Sequence, residues 1–219
     1  GAETLVVVGV QEGSRVLVAP GSYSVTVTRG NEYEAYEEDT IVVVDGQVSS
    51  VEATIERVVE TSGWISCDFH LHSDFSTDSS DPLRRRILEV AAEGVEFAVS
   101  TDHDFVIDYK PLRDAQDLQP YLQVTTGVEM SSPKLTHSSS WPWEEKHDHS
   151  GHGAPHWHEL TPKDLFELLG MGSVARVFQL NHPRGSTGYH NTILYNPVTG
   201  EAEQAPTKIG YPEDTQLAG

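Results

Sequence analysis

The sequence predicts two architectures in succession: a small antiparallel β-sandwich over residues 1–62, then an α/β fold over residues 63–219 whose parallel strands are joined by helical crossovers. Three observations carry this. Residues 1–62 are rich in valine and threonine, alternate in polarity and are broken by turn residues at short intervals. From Trp64 onward, apolar runs alternate with segments of helical periodicity. The residues able to do chemistry fall at the ends of those apolar runs.

In the first part, strands are expected over residues 5–10, 15–19, 23–28, 40–44 and 48–55, with turns at Pro20-Gly21, Gly30-Asn31 and Asp45-Gly46. Asp45-Gly46 between valine-rich runs is a hairpin signal, because both residues accept the positive φ of a tight two-residue turn. Short strands at this spacing imply a sandwich. The segment APGSYSVTVTRG, in which a Pro-Gly turn leads into a Tyr-containing strand, resembles the small transthyretin-like sandwich of carboxypeptidase regulatory domains.

A boundary is expected over residues 60–63. Beyond it Asp81 suits an N-cap, Pro82 the first helical position, and Leu83, Ile87, Val90 and Ala91 form an apolar stripe that stops at Gly94. A buried strand follows over 95–100. The pattern then recurs: Thr161 caps, Pro162 starts, Leu165, Phe166, Leu168 and Leu169 supply a buried face, Gly170 ends the helix, and a strand occupies 176–180.

Charge narrows the function classes. With 34 acidic against 14 basic residues the formal charge is -20, so the average surface repels phosphate backbones and anionic headgroups, and no nucleic-acid partner is expected. Part of that charge is expected to be local, since a metal site needs carboxylates and neutralises them. The single cysteine, Cys67, excludes an internal disulfide and, lying in an apolar stretch, is expected to be a buried, inert thiol. No apolar stretch approaches the roughly 20 residues that span a bilayer. Residues 1–10 read like the middle of a domain and YPEDTQLAG like no natural stop, so the chain is expected to be a segment of a longer protein. By analogy the sandwich points to an exported or cell-envelope protein.

The densest chemistry lies in DFHLHSDFSTDSS at 68–80, where His70 and His72 stand two residues apart at the end of an apolar run. Imidazole and carboxylate donors suit zinc, iron or manganese, and such a pair at a strand end can reach one ion. The run EFAVS delivers Asp102 and His103, LQVTTGV delivers Glu129, and RVFQL delivers His182. Each alone reads equally as an accidental loop residue. In a parallel barrel, however, all strand C-termini open on one face, where catalytic groups gather.

The ordered set of HLH at 70–72, Asp78, TDHD at 101–104, GVE at 127–129, His137 and NHPR at 181–184 resembles the polymerase and histidinol phosphatase (PHP) superfamily of metal-dependent hydrolases. The preceding sandwich and the wording DFHLHSDFSTDSSDP resemble its CehA/McbA-type branch most closely. The resemblance implies a distorted (βα)7 barrel holding two or three divalent ions bridged by carboxylates and hydroxide. It implies that His70 and His72 bind one ion, that Glu129 bridges it to a second completed by His137 and His182, and that Asp78 and His103 hold the third. Asp78 stands where many relatives use a histidine; as a harder ligand it favours iron, manganese or zinc over copper. The family closes its site with an Asp-x-His, and no such motif follows His182; the one later histidine is His190. Residues 63–219 also fall short of the roughly 200 or more residues of a complete barrel. The barrel is therefore expected to be incomplete, as a fragment or as a reduced member of the family.

The function implied is hydrolysis of a small-molecule ester, a phosphoester first and a carbamate or carboxyl ester as the alternative, by a metal-bridging hydroxide. A degenerate, non-catalytic metal-binding module is the other reading. Arg184 is placed to grip an oxyanion with its planar fork, or is a surface arginine. Asp102 is expected to orient a neighbouring ligand rather than bind metal, and Asp68 to do the same or to serve a structural hydrogen bond. The tract HDHSGHGAPHWH, with His147, His149, His152, His156 and His158, either collects metal or forms an exposed lid over the barrel mouth. Trp141, Trp143 and Trp157 beside it either pack that loop down or line a substrate pocket.

Overall fold

The structure, a computed structural model, describes residues 7–9, 15–132, 136–158, 160, 162–171, 176–184, 193–196, 198–199 and 202–204. Its contacts divide it into two compact units. One comprises Gly1–Asp68, Arg84–Ala98 and Leu112–Gln123; the other comprises Phe69–Leu83, Val99–Pro111 and Val124–Gly219.

Within residues 15–62 the structure forms one antiparallel pair, β1 (Gly21–Val27) and β2 (Tyr36–Val43), where a sandwich was predicted. Tyr23 stands opposite Ile41 and Val27 opposite Tyr36. Residues 15–19 and 48–55 carry no strand, and of the predicted strand at 5–10 residues 5, 6 and 10 lie outside the described residues. The Asp45-Gly46 turn does form, with Gly46 at φ +68° and the Gln47 amide donating to the Val44 carbonyl, but no second strand returns from it. The physical reason is coverage. Leu17, Val42, Val44, Val48 and Val51 are exposed, so the alternation in this segment has no second apolar layer to be buried against.

The chain then runs through β3 (Cys67–Leu71), α1 (Leu83–Ala92), β4 (Phe97–Ser100), α2 (Lys110–Asp114) and β5 (Gln123–Thr126), with sheet order β3-β4-β5. The Glu96 amide donates to the Ser66 carbonyl and the Thr101 amide to the Leu71 carbonyl. That constant offset makes β3 and β4 parallel with α1 as their crossover, as the sequence predicts. Leu83, Ile87, Val90 and Ala91 are all buried, and each of the larger side chains contributes roughly 1.5–3 kcal/mol. At the N-terminus of α1 the Asp74 carboxylate accepts from the Leu83 amide at 3.0 Å. At its C-terminus Gly94, at φ +76°, lets the Gly94 amide reach the Ala91 carbonyl and the Val95 amide reach the Val90 carbonyl, a Schellman closure. Cys67, expected to be buried, is exposed at the first position of β3.

The predicted (βα)7 barrel does not form. After β5 the chain enters β6 (Val128–Ser132), β7 (Thr136–Trp141) and β8 (Val177–Leu180), a sheet antiparallel throughout. A short antiparallel pair, β9 (Ile193–Tyr195) and β10 (Ala202–Gln204), follows. The described residues thus hold two sheets of two strands and two of three, not one closed parallel sheet. Helices are correspondingly few and short: α1 has 10 residues, and α2 and α3 (Pro162–Phe166) have 5 each. Leu165 and Leu169 are buried against Met130, and the helix runs on through a π-turn at Glu167–Met171 instead of ending at Gly170. The predicted cap Thr161 lies outside the described residues. Among the described residues no helix is long and apolar enough to cross a membrane.

Gly127 marks where parallel pairing stops. A Cβ there would lie 2.8 Å from the Ser100 carbonyl oxygen and from Val99 Cγ1, and 3.0 Å from the Ser140 carbonyl oxygen. Only glycine lets β4 and β7 approach this closely. Gly127→Ala is therefore expected to cost about 1–3 kcal/mol, seen as a lower urea midpoint with an unchanged slope.

Candidate metal centre

Glu129, on β6, is fully buried and lies at the middle of the predicted ligands. Its Oε2 is 3.0 Å from His70 Nε2, 3.1 Å from His72 Nε2 and 3.5 Å from His103 Nε2. Its Oε1 is 3.4 Å from His137 Nδ1 and 3.6 Å from His182 Nε2. The imidazoles also neighbour one another in a closed circuit. Ring centroids are 4.9 Å apart for His70–His72, 4.8 Å for His72–His103, 4.8 Å for His103–His137, 4.9 Å for His137–His182 and 5.9 Å for His182–His70. Asp78 closes one side, its Oδ1 3.6 Å from His72 Nδ1 and its Oδ2 3.4 Å from His103 Nε2.

Local structure explains the convergence. His70 lies on β3 and His72 just past its end, so the turn out of the strand brings both rings to one place. His103 forms a parallel bridge with Glu129, whose amide donates to the Asp102 carbonyl while its carbonyl accepts from the Asp104 amide at 2.8 Å. His137 lies on β7, in the register that sets it opposite Ser131. His182 follows β8 at φ +28°, a conformation that residues other than glycine rarely take.

Hydroxyls behind the ring set the tautomers. Ser76 Oγ donates its one hydrogen to Asp78 Oδ1 at 2.8 Å, so towards His72 Nδ1, 3.0 Å away, and the His103 amide, also 3.0 Å, it can only accept. His72 therefore carries a proton on Nδ1 and turns its Nε2 to the carboxylate of Glu129. Lone pair against carboxylate at 3.1 Å is repulsive unless a cation, a proton or a metal ion, lies between them. His103 has its Nδ1 2.8 Å from Ser131 Oγ, which leaves its Nε2 turned to Asp78 and Glu129. Such outer hydrogen bonds are how proteins orient metal-binding imidazoles.

The electrostatics correspond to a proton in that place, since burial lowers the pKa of His72 but the Glu129 carboxylate outweighs it and raises it. Burial works against an ionised Glu129, but hydrogen bonds from His70, His72 and Asn181 outweigh it and hold the carboxyl well below the usual range. Burial also favours a neutral His137, as do its neighbours His103 and His182, and lowers its pKa. Among the described residues of this centre three groups of donors lie close enough to share an ion: His70, His72 and Glu129; His72, Asp78 and His103; His103, Glu129 and His137.

Asp102 is not among those donors. Fully buried, it accepts from the Ser73 amide at 2.6 Å, the Ser73 hydroxyl at 2.9 Å and the Tyr109 hydroxyl at 2.8 Å, and so fixes the turn that follows His72. Burial raises its pKa against these donors. Asp68 is half-buried on β3, and Arg184 is exposed. Among the tryptophans, Trp141 stacks on Phe69 at 5.4 Å, Trp143 packs against the Met130 cluster, and Trp157 Nε1 donates to Asp104 at 2.9 Å. All three serve packing.

The residue that sequence reasoning passed over is Asn181. Its Nδ2 donates to Glu129 Oε1 and to Ser139 Oγ, both at 2.7 Å, which fixes the carboxylate from behind. The only hint was its place beside His182 in NHPR. No known family model matches the chain, and no curated protein matches it.

Ser76→Ala is expected to weaken divalent-ion binding about 10–100-fold in a competition titration while leaving the fold intact. Asp102→Ala, which removes the acceptor for three hydrogen bonds, is expected to lower unfolding free energy by at least about 2 kcal/mol in denaturant titration.

Proposed function

We propose that this protein is a divalent-metal-dependent hydrolase of small phosphoesters, with carbamates or carboxyl esters as the alternative substrates of the same centre. The observation that carries the reading is the split of Glu129, whose Oε2 faces His70, His72 and His103 while its Oε1 faces His137 and His182. So disposed, Glu129 would be able to hold one ion with the first set of imidazoles and a second ion with the other. Nitrogen and carboxylate donors of this kind suit zinc, manganese or iron. Two such ions would supply a water activated near neutral pH and Lewis-acid stabilisation of the oxyanion in the transition state.

The chain's own residues divide the remaining work. Each donor group offers three ligand atoms, which leaves room for water and substrate, as in catalytic rather than structural sites. Ser76 and Ser131 are engaged with His72 and His103 and act as supports, not nucleophiles. Arg184, exposed two residues beyond His182, is the group assigned to hold a substrate oxyanion. The likeness to the PHP superfamily supports this reading through the ordered ligand series alone, since the barrel of that family is not formed.

Reconstitution of the metal-free chain with manganese, zinc or iron should yield hydrolysis of a chromogenic phosphodiester. Glu129→Gln should then lower kcat by at least about 100-fold, equivalent to roughly 2.7 kcal/mol, and release bound metal. Full metal content without turnover in the unaltered chain would make the centre a binding module; an unaltered rate in the variant would overturn the assignment.

A further inference from the structure

We infer that the loop between β7 and α3 carries a second metal site, formed by Glu145, His147 and His152, which takes a zinc-like divalent ion independently of the Glu129 centre. The sequence left the histidines of this tract without defined places. The structure separates them: two share one carboxylate oxygen, with Glu145 Oε1 lying 2.8 Å from His152 Nδ1 and 3.1 Å from His147 Nδ1. Their rings meet edge-on at 4.9 Å, and the three donor atoms lie within 4.8 Å of one another. Ligands about 2.0–2.1 Å from a tetrahedral ion stand about 3.3 Å apart, so a small outward movement would admit one.

The site is built rather than gathered by chance. The Glu145 side chain is 10% exposed, and its Oε2 accepts from the Asp108 amide at 2.8 Å, which turns Oε1 toward the imidazoles. The backbone of His152 is held at both ends, its amide donating to the His149 carbonyl at 3.0 Å and its carbonyl accepting from the Lys146 amide at 2.8 Å. Its ring packs on Phe105 at 4.3 Å. The preceding Gly151, at φ +56°, sits where a Cβ would lie 2.4 Å from the Asp104 carbonyl oxygen. His147, whose side chain is 79% exposed, supplies the solvent-side donor and leaves a fourth position for water.

The ion would tie this loop to the segment that leaves His103. That segment already meets the loop twice, through the Val106 amide on the Gly151 carbonyl at 2.9 Å and the Asp108 amide on Glu145. His149 Nδ1 is directed to Asp148 instead, and His158 stacks on Trp157. Neither belongs to the site.

The test counts ions on the full chain, stripped of metal, saturated with zinc and desalted. His147→Ala, a change at an exposed side chain, should hold one zinc fewer than the unaltered chain, whatever number the Glu129 centre retains. Cobalt titration should show the same loss as a missing visible absorption component. The triple variant His149→Ala, His156→Ala, His158→Ala should keep the full count. Equal zinc in His147→Ala and the unaltered chain would overturn the site. So would an equal loss in the triple variant, which would mean that the tract gathers zinc without a defined geometry.

Discussion

A carboxylate buried without water requires compensating positive charge or donors, and in this molecule that requirement falls on Glu129. His70, His72 and the Asn181 amide answer it, and five imidazoles in all surround it, drawn from β3, the turn after it, the segment after β4, β7 and the end of β8. Every one of those segments must therefore arrive at the same point. Gly127 lets β6 turn away from the parallel sheet at close range, and the bridge between His103 and Glu129 couples the two sheets through backbone hydrogen bonds. The change from parallel to antiparallel pairing is what brings His137 and His182 round to the second oxygen.

Support for this arrangement is layered. Asp102 and Asp104 are adjacent and serve different elements: the first accepts from Ser73 and Tyr109, the second from the Ser131 amide at 3.2 Å and from Trp157. The chain thus spends two neighbouring carboxylates on backbone placement and keeps Glu129 and Asp78 for the ring itself. In a chain of formal charge -20, cations drawn to the centre would relieve repulsion as well as fill it.

How much of this could be read in the sequence depends on which physical signal each element leaves. The helix α1 and its two flanking strands were legible because one apolar stripe, a glycine stop and two apolar runs agree. The strand β7 was not, since Ser138, Ser139 and Ser140 are fully buried there and serine carries no hydrophobic period. Missing that strand turned an antiparallel meander into a predicted continuation of the barrel. The sandwich failed for the opposite reason, an alternation in residues 15–62 that nothing among the described residues covers. The candidate ligands were legible as an ordered series, and the structure brings His70, His72, Asp78, His103, Glu129, His137 and His182 together. Asn181, Ser76 and Glu145 were silent because their roles arise from contacts between distant segments.

The donor groups around Glu129 overlap, and each imidazole has one nitrogen to give. The Nδ1 of His72 is committed to Ser76 and that of His103 to Ser131, so neither ring can serve two ions at once. The middle group, His72 with Asp78 and His103, uses both of those rings. An ion seated there therefore takes a ligand from each of the outer groups, and two ions in the outer groups leave Asp78 alone. Loading of this centre with metal would consequently be a competition among mutually exclusive partitions of the same nitrogens, its stoichiometry a choice between arrangements and not the filling of separate pockets.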